Sequence, residues 1–181
     1  MNLFINGSNR ERNCFKILND LKQENDKLIS LSNKNIKYCL GCDACVNKLD
    51  NYCVLNDFMT TNIYYSLKES DKIIIASPLY MSNITGLLKN VIDRFNPFYH
   101  HGYFEGKTIY LVLVGQGTYE DNEEEINDII KYFDGISEWM KFDFKFLKYF
   151  CSGNPQTIDD IEKVEKNYKN DINYLKEVIN N

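Results

Sequence analysis

The sequence predicts an α/β fold, an open doubly wound sheet of five parallel strands with helices on both faces. Three observations carry this. Apolar runs of strand length alternate with stretches of helical periodicity along the 181 residues. Two of the runs, 72–77 and 108–115, are continuously apolar, as strands buried on both faces must be. Five strands and five helices in strict alternation require crossover connections, and these make a sheet parallel.

The first strand is "NLFIN" (2–6). Residues 13–25 follow as a helix, with Phe15, Ile17, Leu18 and Leu21 on one face. "KLISLS" (27–32) is the second strand, and a cysteine-bearing loop comes after it. Asp57 caps a helix running to about Lys68 that buries Phe58, Ile63 and Leu67. "KIIIAS" (72–77) is the third strand, and "TGLLKNVIDRF" (85–95) is a helix with Leu87, Leu88, Val91, Ile92 and Phe95 on its face. "TIYLVLVG" (108–115) is the fourth strand. Residues 122–141 form a helix whose first turn, Glu123 to Glu125, suits the positive end of its dipole. "FKFLKYF" (144–150) is the last strand, and a closing helix over 157–179 is capped by Thr157 or Asp159. One domain, 1–181, is expected from this length.

Composition excludes several functions. The net charge is −5 with no basic face, so nucleic-acid binding is not expected. No apolar run approaches the ~20 residues of a membrane span. The start "NLFINGSN" has no secretory pattern. A cytoplasmic protein with reduced cysteines is therefore expected, and a disulfide framework is not.

Sheets of this kind bind ligands at the carboxyl ends of their strands. The first strand ends in "NGSNRERNC" (6–14), where Ser8, Asn13 and Arg10 offer hydrogen bonds at a helix start. It lacks both the G-K-[ST] of a P-loop and the G-x-G-x-x-G of a dinucleotide site. A monophosphate suits it, though a plain polar turn would read the same way. The third strand runs into "SPLYMSNITGLLKNVIDR" (77–94). Pro78 fixes the exit, Leu79, Ser82 and Asn83 continue a polar loop, and Tyr80 and Met81 offer surfaces for a flat ring. In "VGQGTY" (114–119), Gly115 and Gly117 flank Gln116 and permit close approach to a ligand. A phosphate at one end and a planar heteroaromatic at the other describe flavin mononucleotide, FMN.

Two motifs carry a resemblance. Gly7-Ser8-Asn9-Arg10 is similar to a G-S-P-R phosphate loop. Ser77-Pro78-Leu79-Tyr80, followed by Gly86, Leu88, Lys89, Ile92, Asp93 and Arg94, is similar to S-P-x-Y…G-x-(L/M)-K-x-x-I-D-R. The chain resembles the flavodoxin-like NAD(P)H-dependent FMN reductases, and among them the iron–sulfur flavoproteins of anaerobes. The resemblance covers roughly residues 1–150. It implies strand order 2-1-3-4-5. It implies FMN held through its phosphate by the 8–14 loop, and around its ring by 78–83 and 115–117. It also implies a homodimer or homotetramer with flavin sites near subunit interfaces. Asn9 replaces the family's proline, the loop is about one residue short, and Cys14 stands where a hydroxyl commonly meets the phosphate. A thiol is a weak donor, so the exchange is expected to cost on the order of 1 kcal/mol of FMN affinity.

Cys39, Cys42, Cys45 and Cys53 are spaced C-x2-C-x2-C-x7-C. Bacterial ferredoxins open with the same C-x2-C-x2-C, whereas structural zinc sites use two separated C-x2-C knuckles. Iron–sulfur flavoproteins carry the compact trio and a later fourth cysteine, but cluster-free relatives share a C-x-G-C-x-x-C loop. A 4Fe–4S cluster, unclustered thiols and a zinc site all stay open. Cys151 reads as a packed small hydrophobe. The loop 96–107, with His100 and His101, reads as a flavin lid, a dimer contact or plain surface.

The expected function is an FMN oxidoreductase passing electrons between a carrier, a 4Fe–4S cluster and FMN, with no catalytic side chain. One alternative is a cluster-free reductase using NAD(P)H and a small acceptor such as a quinone. Another is a flavin electron carrier or thiol sensor without turnover. A ferredoxin-like donor would be acidic, so the run 120–125 would not attract it.

Overall fold

The computed structural model describes residues 1–47, 52–154 and 160–181. Five parallel strands, β1 (Leu3–Asn6), β2 (Lys27–Ser30), β3 (Lys72–Pro78), β4 (Thr108–Gly115) and β5 (Asp143–Cys151), lie in the order 2-1-3-4-5. This is the predicted topology, and its switch point falls between β1 and β3.

Strand alternation sorts the apolar side chains onto two cores. Leu3, Ile5, Ile73, Ile75, Ile109, Leu111 and Leu113 face one layer. That layer holds α3 (Tyr64–Glu69), α4 (Gly86–Asp93), α5 (Asn96–His100) and α6 (Glu123–Met140). Phe4, Ile74, Ala76, Tyr110, Val112 and Val114 face the other, with α1 (Asn13–Leu21) and α8 (Tyr168–Asn180). Both faces are covered, which is why the central strands are apolar throughout.

The boundaries differ from the sequence reading in a few places. The first helix stops at Leu21, because Lys22 turns to an extended backbone. The helix after Asp57 opens as a π turn, Met59–Ile63, before α3. Asp57 does cap it, accepting from the Thr60 N–H at 3.3 Å. The closing helix is two helices, α7 (Ile161–Val164) and α8, not one. Glu165 between them is extended, and its carboxylate accepts the Cys151 N–H at 2.6 Å, which pins the break to the end of β5. The caps expected at Thr157 and Asp159 lie outside the described residues; Asp160 caps α7. The cysteine loop holds a short helix, α2 (Ala44–Asn47), and the 96–107 loop contains α5.

A bulge in β5 shapes the site. Leu111 pairs with Phe146 but Val112 pairs with Lys148, so Leu147 is an extra residue. The slip lets Tyr149 share the face of Phe144 and Phe146 and reach under the end of β4. Its hydroxyl donates to the Gly117 carbonyl at 2.6 Å and accepts from Asn122 Nδ2 at 3.1 Å. The room beside Gly115 and Gly117 is thus filled from within the chain. A Cβ at Gly115 would come within 2.9 Å of the Tyr149 ring, and one at Gly117 within 2.7 Å of Asn122 Nδ2. The lack of a Cβ at the two glycines admits Tyr149 and Asn122 on that side of the backbone.

The largest fully buried side chain is Arg94, which forms an ion pair with buried Asp57. Burial by itself would raise the Asp57 pKa. Hydrogen bonds from Arg94 and from the Lys37 N–H, with the guanidinium charge, hold it below the ordinary 3.8. A depressed folded pKa stabilises fully above the unfolded value and is lost as pH falls through the folded one.

Asp57→Ala strands a buried cation and is expected to cost roughly 3–5 kcal/mol, measured as a lower urea midpoint. The deficit is expected at neutral pH and to shrink as pH drops below the ordinary 3.8. An unchanged midpoint would remove the pair as an anchor. Gly115→Ala is expected to cost roughly 1–3 kcal/mol by overpacking. Adding Tyr149→Phe should recover part of that, and no recovery would mean the hydroxyl is not the obstacle.

Candidate functional site

A cavity of about 350 Å³ opens at the carboxyl ends of β1, β3, β4 and β5. This lies within the size range of small-molecule sites. One end is cationic. Ser8, Arg10, Arg12, Asn13 and Cys14 line it, at the start of α1, which has no side-chain cap. An uncapped helix start carries the positive end of the dipole, so an anion is stabilised there. Ser8 is buried, its N–H bound to Asn6 Oδ1 at 3.1 Å and its Oγ accepting from the Arg10 N–H at 3.1 Å. The loop is therefore preformed. Cys14 is buried in the core beneath it, and burial, opposed by the Arg10 charge, pushes its thiol up to about 12. It stays a neutral, weak donor on the wall.

The other end is lined by uncharged residues. Pro78, Leu79, Tyr80 and Ser82 form one side, and Val114, Gly115, Gln116, Asn122 and Ser152 the other. Tyr80 and Asn83 pair as a tight turn, with N–H···O distances of 2.8 and 3.2 Å. The two residues between them, Met81 and Ser82, have φ of 50° and 60°. Consecutive left-handed residues define a mirror-image turn that usually takes Asn or Gly. Neither stands here, so the turn is strained, as walls of functional sites often are. Glu125 helps hold it by accepting from Ser82 Oγ at 3.1 Å.

The loops on either side of the switch point are tied together. Gly7 donates to the Ala76 carbonyl at 2.8 Å. Thr85 Oγ1 donates to the Gly7 carbonyl at 2.6 Å and caps α4 by accepting the Leu88 N–H. Ser77 Oγ accepts the Thr85 N–H at 3.1 Å. A side chain at Gly7 would press within 3.0 Å of the Ala76 carbonyl and Leu88, so the approach requires glycine.

Cys39, Cys42, Cys45 and Cys53 line a second, smaller cavity together, with Tyr64, Arg94, Asn96 and Pro97. Cys39 and Cys42 are exposed, Cys45 and Cys53 half-buried. Asn96 Nδ2 lies 3.5 Å from Cys45 Sγ, and burial raises the Cys45 pKa. His101 Nε2 sits 3.2 Å from the Cys45 carbonyl, so this part of the 96–107 loop braces α2. Among the described residues no three His, Cys, Asp or Glu side chains converge on a point that would hold one metal ion. A cubane does not ask for that convergence, since four thiolates distribute over its irons. Four thiols lining one cavity are a soft donor set, the ligand type that iron–sulfur clusters and zinc take.

Of the residues singled out by sequence, Ser8, Arg10, Asn13, Cys14, Pro78, Leu79, Tyr80, Ser82, Gly115 and Gln116 share the first cavity. Met81, Asn83 and Gly117 do not line it. Met81 stands 98% exposed at the tip of the turn, and Asn83 Oδ1 accepts the Ile84 N–H. Sequence reasoning missed Arg12, Val114, Asn122 and Ser152. Arg12 is a second basic residue in the same loop, and Ser152 follows a strand end, so both carried a signal. Asn122 is held at the wall by the Thr118 carbonyl at 2.9 Å and by the Tyr149 hydroxyl at 3.1 Å. Cys151 is half-buried against the core, its Sγ donating to the Gln116 carbonyl at 3.3 Å.

Comparison with known proteins agrees with this fold. The FMN-dependent NADH-azoreductase of Bacillus anthracis, solved with FMN, superposes with a TM-score of 0.62 at 15% identity, over 99% of each chain. The Trp repressor binding protein of Bacillus subtilis gives 0.65 at 16% identity, over 95% of each. An iron–sulfur flavoprotein of Archaeoglobus fulgidus is 39% identical over 103 residues, 51% of this chain and 47% of the relative. One from Methanosarcina thermophila is 35% identical over 98 residues, 50% of this chain and 49% of the relative. The matched stretches span about half the length of these relatives. No helix among the described residues is long and apolar enough to cross a membrane. The profile described as NADPH-dependent FMN reductase matches residues 2–127, and the chain belongs to that family.

Proposed function

We propose that this protein is an FMN-dependent oxidoreductase of the iron–sulfur flavoprotein type, relaying electrons between an external carrier, a 4Fe–4S cluster and FMN. The carrying observation is the cavity at the switch point, with Arg10, Arg12 and the uncapped start of α1 at one end and an uncharged wall with Pro78, Leu79 and Tyr80 at the other. When bound, FMN supplies one- and two-electron chemistry and the cluster one-electron chemistry. Ser8, Arg10 and Asn13 hold the phosphate. Pro78, Leu79, Tyr80 and Ser82 flank one side of the ring, and Gly115 and Gln116 the other. Cys39, Cys42, Cys45 and Cys53 hold the cluster. The names of the matched relatives support this reading. The donor is a ferredoxin-like protein or NAD(P)H, the acceptor a small molecule, and the assembly a cytoplasmic homodimer or homotetramer.

The test is an absorption spectrum of anaerobically purified protein, with iron and acid-labile sulfide assayed on the same sample. Flavin bands under a broad brown shoulder, with about four irons per chain, support the proposal. A clean flavin spectrum without iron turns it into a cluster-free NAD(P)H-dependent reductase, and a colourless protein rejects flavin binding. Cys45→Ser is expected to lose the brown shoulder and keep the yellow flavin; retention of the shoulder would remove Cys45 from the ligand set. Arg10→Ala is expected to weaken FMN roughly tenfold or more, since a charge-assisted hydrogen bond is worth about 1.5–3 kcal/mol. Riboflavin, which lacks the phosphate, should bind both proteins alike. Equal loss for both flavins, by fluorescence quenching, would move Arg10 away from the phosphate.

A further inference from the structure

Arg94 is 1% exposed, and its guanidinium is only partly satisfied. Nη1 donates to Asp57 Oδ2 and, at 3.1 Å, to the Lys37 carbonyl, two residues before Cys39. Nε and Nη2 have no hydrogen-bond partner among the described residues. The Tyr64 ring lies 6.0 Å from the guanidinium carbon and offers its π face, not an acceptor. A buried charged donor left unmet is costly. Arg94 also lines the cavity that holds all four thiols of the cysteine loop. Asp57 balances the charge but engages a single nitrogen.

We propose that Arg94 is the fixed cation of the thiol-lined cavity, a positioning residue that gives its unpartnered Nε–H and Nη2–H groups to the sulfur atoms of the group the cysteines hold. This rests on the reading of the four cysteines as cluster ligands. A cluster ligated by four thiolates is anionic, and its potential responds to charge and to hydrogen bonds on sulfur. Asp57 and the Lys37 carbonyl aim the fork and fasten the start of the cysteine loop to the end of α4. Arginine suits the task because it keeps its charge when buried and presents several donors in a fixed plane.

The test uses the holoprotein. The chain has three arginines, and the other two, Arg10 and Arg12, line the flavin cavity. Protein grown with guanidino-15N arginine and reduced to its paramagnetic cluster state is expected to give 15N hyperfine coupling in pulsed electron paramagnetic resonance. Absence of coupling in a sample with full iron and sulfide overturns the proposal. Arg94→Lys is expected to keep FMN, lower the cluster potential and release iron to a chelator roughly tenfold faster, the low end of outer-shell effects. Asp57→Asn with Arg94→Gln removes both charges without stranding either, and should lower the potential further. Native potential and release rate in both variants, with FMN retained, also overturn it. Native protein with FMN but neither iron nor sulfide rejects the cluster reading itself, and this inference with it.

Discussion

One hydroxyl holds the switch point. β1 and β3 are neighbours whose connections leave the sheet toward opposite faces, so a crevice must open between them. Thr85 closes its base by binding the Gly7 carbonyl, capping α4 and taking the Ser77 hydroxyl on its own N–H. Each of these groups is buried, so none has water as a substitute. The 8–14 loop and the 78–83 turn are thereby fixed relative to each other. Neither wall of the cavity can shift without breaking a buried hydrogen bond.

The fold was legible because its main constraint is written in the strands. Runs such as Ile73, Ile74 and Ile75 are apolar on successive residues, and only a sheet covered on both faces buries them all. Thr108–Gly115 was read to the residue for the same reason. The closing helix was misread because Ile161, Tyr168, Ile172, Leu175 and Ile179 keep a helical period across a break that a single carboxylate creates. At the site, residues on strand ends were legible, while those delivered by other elements were not. Asn122 is held partly by Tyr149, which the β5 bulge places, and no local pattern announces that bulge. Arg94 appeared only as the end of a motif, and its pairing with Asp57 joins residues 37 positions apart.

Strain and packing divide the labour on the uncharged wall. Met81 and Ser82 sit in left-handed conformations without the glycine that would make them easy. The surrounding structure compensates through the Tyr80–Asn83 pairing and the Glu125 contact. A glycine turn would cost less in the folded state but more in chain entropy, and would leave the wall free to move. On the opposite side Tyr149 fills the space under Gly115, so that wall is rigid by volume rather than by turn geometry.

The two cavities also ask opposite things of α4, whose eight residues span about 12 Å. Its N-cap, Thr85, is tied to Gly7 at the base of the first cavity. Its C-terminus points its negative end toward the cysteines, where the dipole disfavours thiolates. The C-cap residue is Arg94. Arg94 places a guanidinium at that end, and Asp57 balances its charge without taking all of its donors. The ion pair that fastens the cysteine loop to the end of α4 thus also leaves guanidinium donors at the thiol-lined cavity. A neutral residue at 94 would leave both the carboxylate of Asp57 and any thiolate beside it facing the wrong end of a helix.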